Sequence, residues 1–131
     1  MSLPIFVPAD RDLARVEREL HSKFLALQAQ AAAKGHPIFA TEGKRTRERQ
    51  EYLYALGRTL PGAIVTHAKP GESLHEKGRA IDFAFDVPKG QDIWNGPWDL
   101  IGGLAEDLGL VWGGRWTRPD RPHVELPGGN A

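Results

Sequence analysis

The stretch Ser73-Leu74-His75-Glu76-Lys77-Gly78-Arg79-Ala80-Ile81-Asp82-Phe83-Ala84-Phe85-Asp86 decides how the chain is read. Its second half, Arg79 to Asp86, alternates as a strand does, with Phe83 and Phe85 on one face and Asp82 and Ala84 on the other. An aspartate among small residues, Ala80 and Ala84, leaves open space above it, while two phenylalanines occupy the opposite face. The first half puts His75 in a Gly-containing stretch seven residues before that aspartate. This is the pattern of a pocket with a rigid floor.

A second polar stretch, Trp116-Thr117-Arg118-Pro119-Asp120-Arg121-Pro122-His123-Val124-Glu125-Leu126, leads into another strand, on which His123 and Glu125 share a face and Val124 points away. Pro122 removes a backbone donor and keeps Arg121 extended, so the approach to His123 is stiff. Two imidazoles and one carboxylate are a common ligand set for catalytic zinc, with the fourth position left to water. Such chemistry also needs a carboxylate to carry a proton. Asp120 is the first choice and Glu125 the second, unless Glu125 instead orients a ligand imidazole. His21, His36 and His67 get plainer readings, in a helix, a turn and a loop that could touch substrate.

Outward from these stretches the chain reads as α+β. Asp10 caps a helix running to about Lys34, stopped by Gly35, with Leu13, Val16, Leu20, Phe24 and Leu27 on one face. Residues 37–41 form a short strand, and Thr46 caps a second helix from Arg47 to Leu56, closed by Gly57. Residues 58–78 carry Pro61, Gly62, Pro70 and Gly71 and read as loop, with a brief strand at residues 64–66. Asn95 or Gly96 opens a third helix with Pro97 in its first turn and Leu100, Ile101, Leu104 and Leu108 on its buried side, up to Gly109. Residues 110–112 and 124–126 complete the strands, joined by a loop over residues 113–122.

Composition narrows the function classes. A chain of 131 residues with 40% hydrophobic and 26% charged residues is an ordinary globular domain. It has no cysteine, so any metal must be held by His, Asp or Glu. Seventeen basic residues balance seventeen acidic ones, which argues against nucleic acid or an anionic membrane as partner. No stretch approaches the roughly 20 apolar residues that span a bilayer, and residues 1–20 lack the pattern of a secretory signal.

With those residues laid out, the chain resembles the LAS-type zinc peptidases, which include D-alanyl-D-alanine carboxypeptidases and dipeptidases. Within that group it most resembles the L-alanyl-D-glutamate endopeptidases that phages use as endolysins. The Ser-x-His-x6-Asp pattern stands here as Ser73, His75 and Asp82, with Gly78 and Ala80 inside it, and the Asp-x-x-His partner as Asp120 and His123. Residues 41–46, Gln50, Leu53-Tyr54 and residues 57–59 also resemble the stretch preceding the metal motif. Lys44 departs from the pattern, where an aromatic is expected.

The resemblance implies one zinc ion per chain held by His75, Asp82 and His123, with Asp120 as general base. It implies that Arg45 stabilises the oxyanion or grips a substrate carboxylate, and that Ser73 and Gln50 help hold substrate. The fold it implies is a small antiparallel sheet of about four strands packed against helices, of the Hedgehog and D-alanyl-D-alanine peptidase type, with the zinc site on the sheet. The expected protein is a single catalytic domain over residues 1–131, without a separate wall-binding domain, acting as a monomer on the stem peptide of peptidoglycan. It is expected to be made in a host cytoplasm without a signal peptide and to reach the wall through a separate pore protein. The rivals are a D-alanyl-D-alanine carboxypeptidase with the same chemistry and a non-catalytic peptidoglycan-binding module.

Overall fold

A computed structural model describes residues 6–128 of the 131. Its helices are α1 (Arg18–Ala33), α2 (Arg47–Ala55) and α3 (Trp98–Asp107). Its strands are β1 (Ile38–Glu42), β2 (Ala80–Phe85), β3 (Val111–Trp112) and β4 (His123–Glu125). They form one sheet of four strands in the order β1-β2-β4-β3, with every pairing antiparallel. The α+β architecture is the one expected.

The alternation in β2 sorts its side chains as read from the sequence. Ile81, Phe83 and Phe85 enter a core with Leu20, Phe24 and Leu27 of α1 and Ile101 and Ala105 of α3. Phe24 and Phe83 meet with ring centroids 6.3 Å apart. Each such side chain removed from water contributes about 1.5–3 kcal/mol. The helices therefore cover one face of β2 and leave Ala80, Asp82 and Ala84 to the other.

Local differences from expectation have physical causes. α1 starts at Arg18, not after Asp10, because Val16 and Glu17 run extended. That turn buries Val16 in the core and lets the Glu17 N–H donate to the Gly78 carbonyl at 2.8 Å. Asp12 caps a separate 3-10 turn, Leu13–Arg15, before it. Thr46 caps α2 as expected, accepting from the Arg49 N–H at 3.0 Å. Residues 64–66 form no strand, and Ile64 and Val65 are exposed. Pro97 is the residue before α3 rather than in its first turn, and Leu100 is exposed.

Leu100 faces out because α3 buries the strip through Ile101, Gly102 and Ala105. Gly102 lies against the face of the Trp112 ring, so closely that a Cβ there would overlap it. Trp112 is held in place by donating its indole N–H to the Arg121 carbonyl at 2.9 Å. Beside it, Gly103 faces open space. Two neighbouring glycines of one helix should thus respond oppositely to the same change. Gly102→Ala should destabilise by about 1–3 kcal/mol through overpacking, whereas Gly103→Ala should stabilise by up to about 1 kcal/mol through helix propensity. Urea denaturation of both variants checks this, and equal signs would refute the packing argument.

Candidate active site

The open face of the sheet is assembled by register. Asp82 pairs directly with His123 across β2 and β4, and Ala80 pairs with Glu125. Asp82, His123 and Glu125 therefore project to the same side, above small alanines. On the other flank the ladder runs Ala40↔Phe83 and then Glu42↔Asp82, skipping Thr41. Without that bulge Glu42 would oppose Ile81 and face the core; the extra residue turns it onto the Asp82 side.

His75 reaches the site from a 3-10 turn, Leu74–Lys77, inside the expected loop. The turn exists because Ser73 and Glu76 form a reciprocal capping box and Gly78 ends it in the left-handed conformation, φ 71°. The same turn is tied to the segment after β1: the Arg45 N–H donates to the His75 carbonyl at 2.9 Å. His75 Nδ1–H in turn donates to the Gly43 carbonyl at 2.9 Å. That hydrogen bond turns Nε2 toward Asp82, 3.3 Å from Oδ1.

His123 is held in mirror fashion. Its Nε2–H donates to Glu125 Oε1 at 2.7 Å, which leaves Nδ1 facing Asp82 Oδ1 at 3.3 Å. One donor atom each from His75, Asp82 and His123 lies within 4.8 Å of the others, so the three could hold a metal ion. Each imidazole is oriented through its far nitrogen, the arrangement that fixes tautomer and direction in metal sites. Burial works against the charge of Asp82, but the two imidazoles override it and hold its carboxyl well below the usual range. Burial likewise opposes the His123 imidazolium, yet its hydrogen bonds to Asp82 and Glu125 push it up to about 9.

Asp120 stands at the rim. Its Oδ2 is 3.9 Å from His123 Nδ1, close to the three donor atoms but outside the group they form. Its side chain is half exposed, and burial, followed by the charge of Asp82, raises it above the ordinary value of 3.8. The loop behind it is cinched by Gly113, whose carbonyl accepts from the N–H groups of Trp116 and Asp120. A Cβ at Gly113 would overlap the Asp120 carbonyl oxygen.

Arg45 is not a solvated member of a basic cluster. It is buried, with Nη2 on Glu42 Oε1 at 2.7 Å and 3.7 Å from Asp82, and Nη1 on Gln50 at 2.9 Å. Arg49 shares the other oxygen of Glu42 at 2.9 Å. Burial alone would raise the Glu42 pKa, but these two guanidiniums hold it below its ordinary 4.5. Glu42 and Arg49 carry no motif of their own; an acid amid Lys44, Arg45, Arg47 and Arg49 is the only local signal of their pairing. Gln50 is fully buried and donates to the Ala68 carbonyl at 2.7 Å, so it braces the segment at residues 66–68. Ser73 lines the cleft, although its hydroxyl already accepts from the His75 N–H at 3.2 Å.

These groups line one open cleft of about 690 Å³. Ile64, Val65 and His67 form one wall, and Trp116, Arg118 and Asp120 the other. The Trp116 ring lies 5.0 Å from the His123 ring, centroid to centroid.

The sequence model of the VanY family, described as D-alanyl-D-alanine carboxypeptidase, matches residues 13–94. A second model with the same description, Peptidase_M15_4, matches residues 66–126. The chain belongs to the VanY family of metallopeptidases. A family relative, peptidoglycan L-alanyl-D-glutamate endopeptidase CwlK of Bacillus subtilis, is 45% identical over 112 residues, 77% of this chain and 67% of that protein. Among solved structures, the Serratia marcescens L-Ala D-Glu endopeptidase ChiX superposes with a TM-score of 0.57 at 22% identity, over 93% of this chain and 88% of that one. A VanY D,D-pentapeptidase in complex with Zn(II) gives 0.66 at 18% identity, over 86% and 73%. The LD-carboxypeptidase LdcB gives 0.66 at 18% identity over 92% of this chain, which spans only 63% of that one. These likenesses establish the fold of the family enzyme.

The Glu42 pair yields a pH prediction. Glu42→Gln takes from the buried Arg45 its closest counter-charge and should cost about 3–5 kcal/mol at pH 7. Because the folded pKa is depressed, the wild-type advantage is complete above about pH 4.5 and is lost as pH falls further, through the folded value. The gap in urea midpoint between the two proteins should therefore narrow from pH 7 to pH 3. A gap that stays constant would show that Glu42 contributes by shape alone.

Proposed function

We propose that the protein is a zinc-dependent peptidoglycan endopeptidase that hydrolyses the L-alanyl-D-glutamate bond of the stem peptide. The observation that carries this reading is the convergence of His75, Asp82 and His123 beneath an open cleft with Asp120 at its rim. The relative from Bacillus subtilis, named for that activity, supports the choice of bond. Two imidazole nitrogens and a carboxylate oxygen suit zinc, and the VanY neighbour in complex with Zn(II) supports the same ion. Bound there, zinc would supply a Lewis acid that polarises the scissile carbonyl and acidifies water.

The chain's own residues divide the remaining work. Asp82 supplies negative charge and is kept ionised by its neighbours. Asp120 accepts the proton of the attacking water and delivers it to the leaving nitrogen; its raised pKa improves a carboxylate for that task. Glu125 is less suited to be the base, because it already accepts from His123 Nε2. Its part is to hold the ring. Arg45 adds positive charge beside Asp82, on the cleft floor, toward a developing oxyanion.

The family description also favours a second reading, removal of a terminal D-alanine by the same residues. We extend the first reading to a lytic enzyme of the endolysin kind, made in the cytoplasm, working as a monomer and admitted to the wall by a separate pore protein. Its support is the resemblance of residues 41–59 to such enzymes.

Purified sacculi incubated with the protein and zinc should gain N-terminal glutamate, detected by mass spectrometry of the released fragments. Release of free D-alanine without new N-terminal glutamate would favour the carboxypeptidase. Asp120→Asn should keep bound zinc but lower kcat by about 10²–10⁴. Full activity in that variant would remove Asp120 from the mechanism.

A further inference from the structure

Arg118 projects into the cleft with almost none of its hydrogen-bonding capacity used. It lies on the wall opposite His67, 51 residues away in sequence, and its Nη1 is 2.9 Å from His67 Nε2. A guanidinium only donates, so His67 Nε2 is the acceptor in this hydrogen bond. Among the described residues no carboxylate lies within ion-pair distance of Arg118. Arg45, the other arginine of the cleft, is engaged by Glu42 at 2.7 Å and by Gln50 at 2.9 Å and is buried. The cleft thus holds one cation paired with a buried carboxylate and one exposed cation with no counter-charge among the described residues.

Position gives the exposed one a use. Arg118 is two residues before Asp120 on a loop fixed at Gly113, and both residues line the cleft. If Asp120 protonates the leaving nitrogen, that nitrogen lies at this end of the cleft. The carbon bonded to it then falls beside Arg118. In the stem peptide D-glutamate continues through its γ-carboxyl, so this carbon carries a free α-carboxylate; in an ordinary peptide the same position is a neutral amide.

We propose that Arg118 is a specificity-determining residue that ion-pairs the free α-carboxylate on the carbon bearing the scissile nitrogen. The inference rests on the endopeptidase reading above and adds to it how substrate is told from other peptides. His67 holds the guanidinium over the cleft until the carboxylate, a stronger acceptor for its planar fork, replaces it. Arg45 keeps its place on the floor, and the carboxylate grip belongs to the opposite wall.

Two synthetic peptides test this, L-Ala-γ-D-Glu-L-Lys-D-Ala and its D-isoglutamine counterpart, in which the α-carboxylate is an amide. With zinc supplied, the wild type should favour the acid by roughly 10–100-fold in kcat/KM, mostly through KM, the range expected for a charge-assisted contact. Arg118→Met should bring that ratio close to one, and Arg118→Lys should restore part of it. An unchanged ratio in Arg118→Met, or a wild type that cuts both peptides equally well, would overturn the role of Arg118 and leave the endopeptidase reading standing. A wild type that cuts neither peptide between alanine and the second residue would overturn both.

Discussion

Asp82 and His123 face each other across the β2–β4 ladder, and their side chains meet at 3.3 Å because the strands are adjacent and in register. Side chains in a strand alternate with a period of two, so a slip by a single residue would send one of them into the core. The phenylalanines on the reverse face prevent that slip. Phe83 and Phe85 are buried against the helices and can be satisfied in only one register. The hydrophobic core and the chemical site are thus two faces of one strand, specified by the same alternation.

Around this pair the fold handles charge by close pairing. Glu42, turned outward by the bulge at Thr41, is shared by two arginines, and the same Arg45 reaches within 3.7 Å of Asp82. A buried ion pair adds little net stability against an apolar replacement, but losing one partner is costly. The network is therefore better understood as positioning. It fixes a guanidinium beside the Asp82 carboxylate, and through Gln50 it fixes the wall at residues 66–68.

Much of this was legible in the sequence, and the parts that were not have a common character. The β2 alternation, the cap at Thr46 and the pairing of His123 with Glu125 on one face are short-range patterns, each read from neighbouring residues. Leu100 is exposed against expectation because apolarity alone does not reveal that a tryptophan from β3 claims the adjacent strip at Gly102. The late start of α1 depends on a hydrogen bond from Glu17 to Gly78, a partner far along the chain. The buried state of Arg45 depends on a bulge that only strand pairing creates. The bracing role of Gln50 is hidden in the sequence for the same reason, since nothing local tells an outward amide from one turned into a brace.

The two imidazoles of the site are steadied by different kinds of atom. His75 leans on the carbonyl of Gly43, which every residue type at position 43 would also carry. His123 leans on a carboxylate that a single codon change can delete. The acceptor that steadies the ring at 75 is thus part of the backbone, while the ring at 123 is hostage to one side chain. The acidic partner also pulls on the proton of its imidazole harder than a neutral carbonyl does, making His123 the more electron-rich donor of the two.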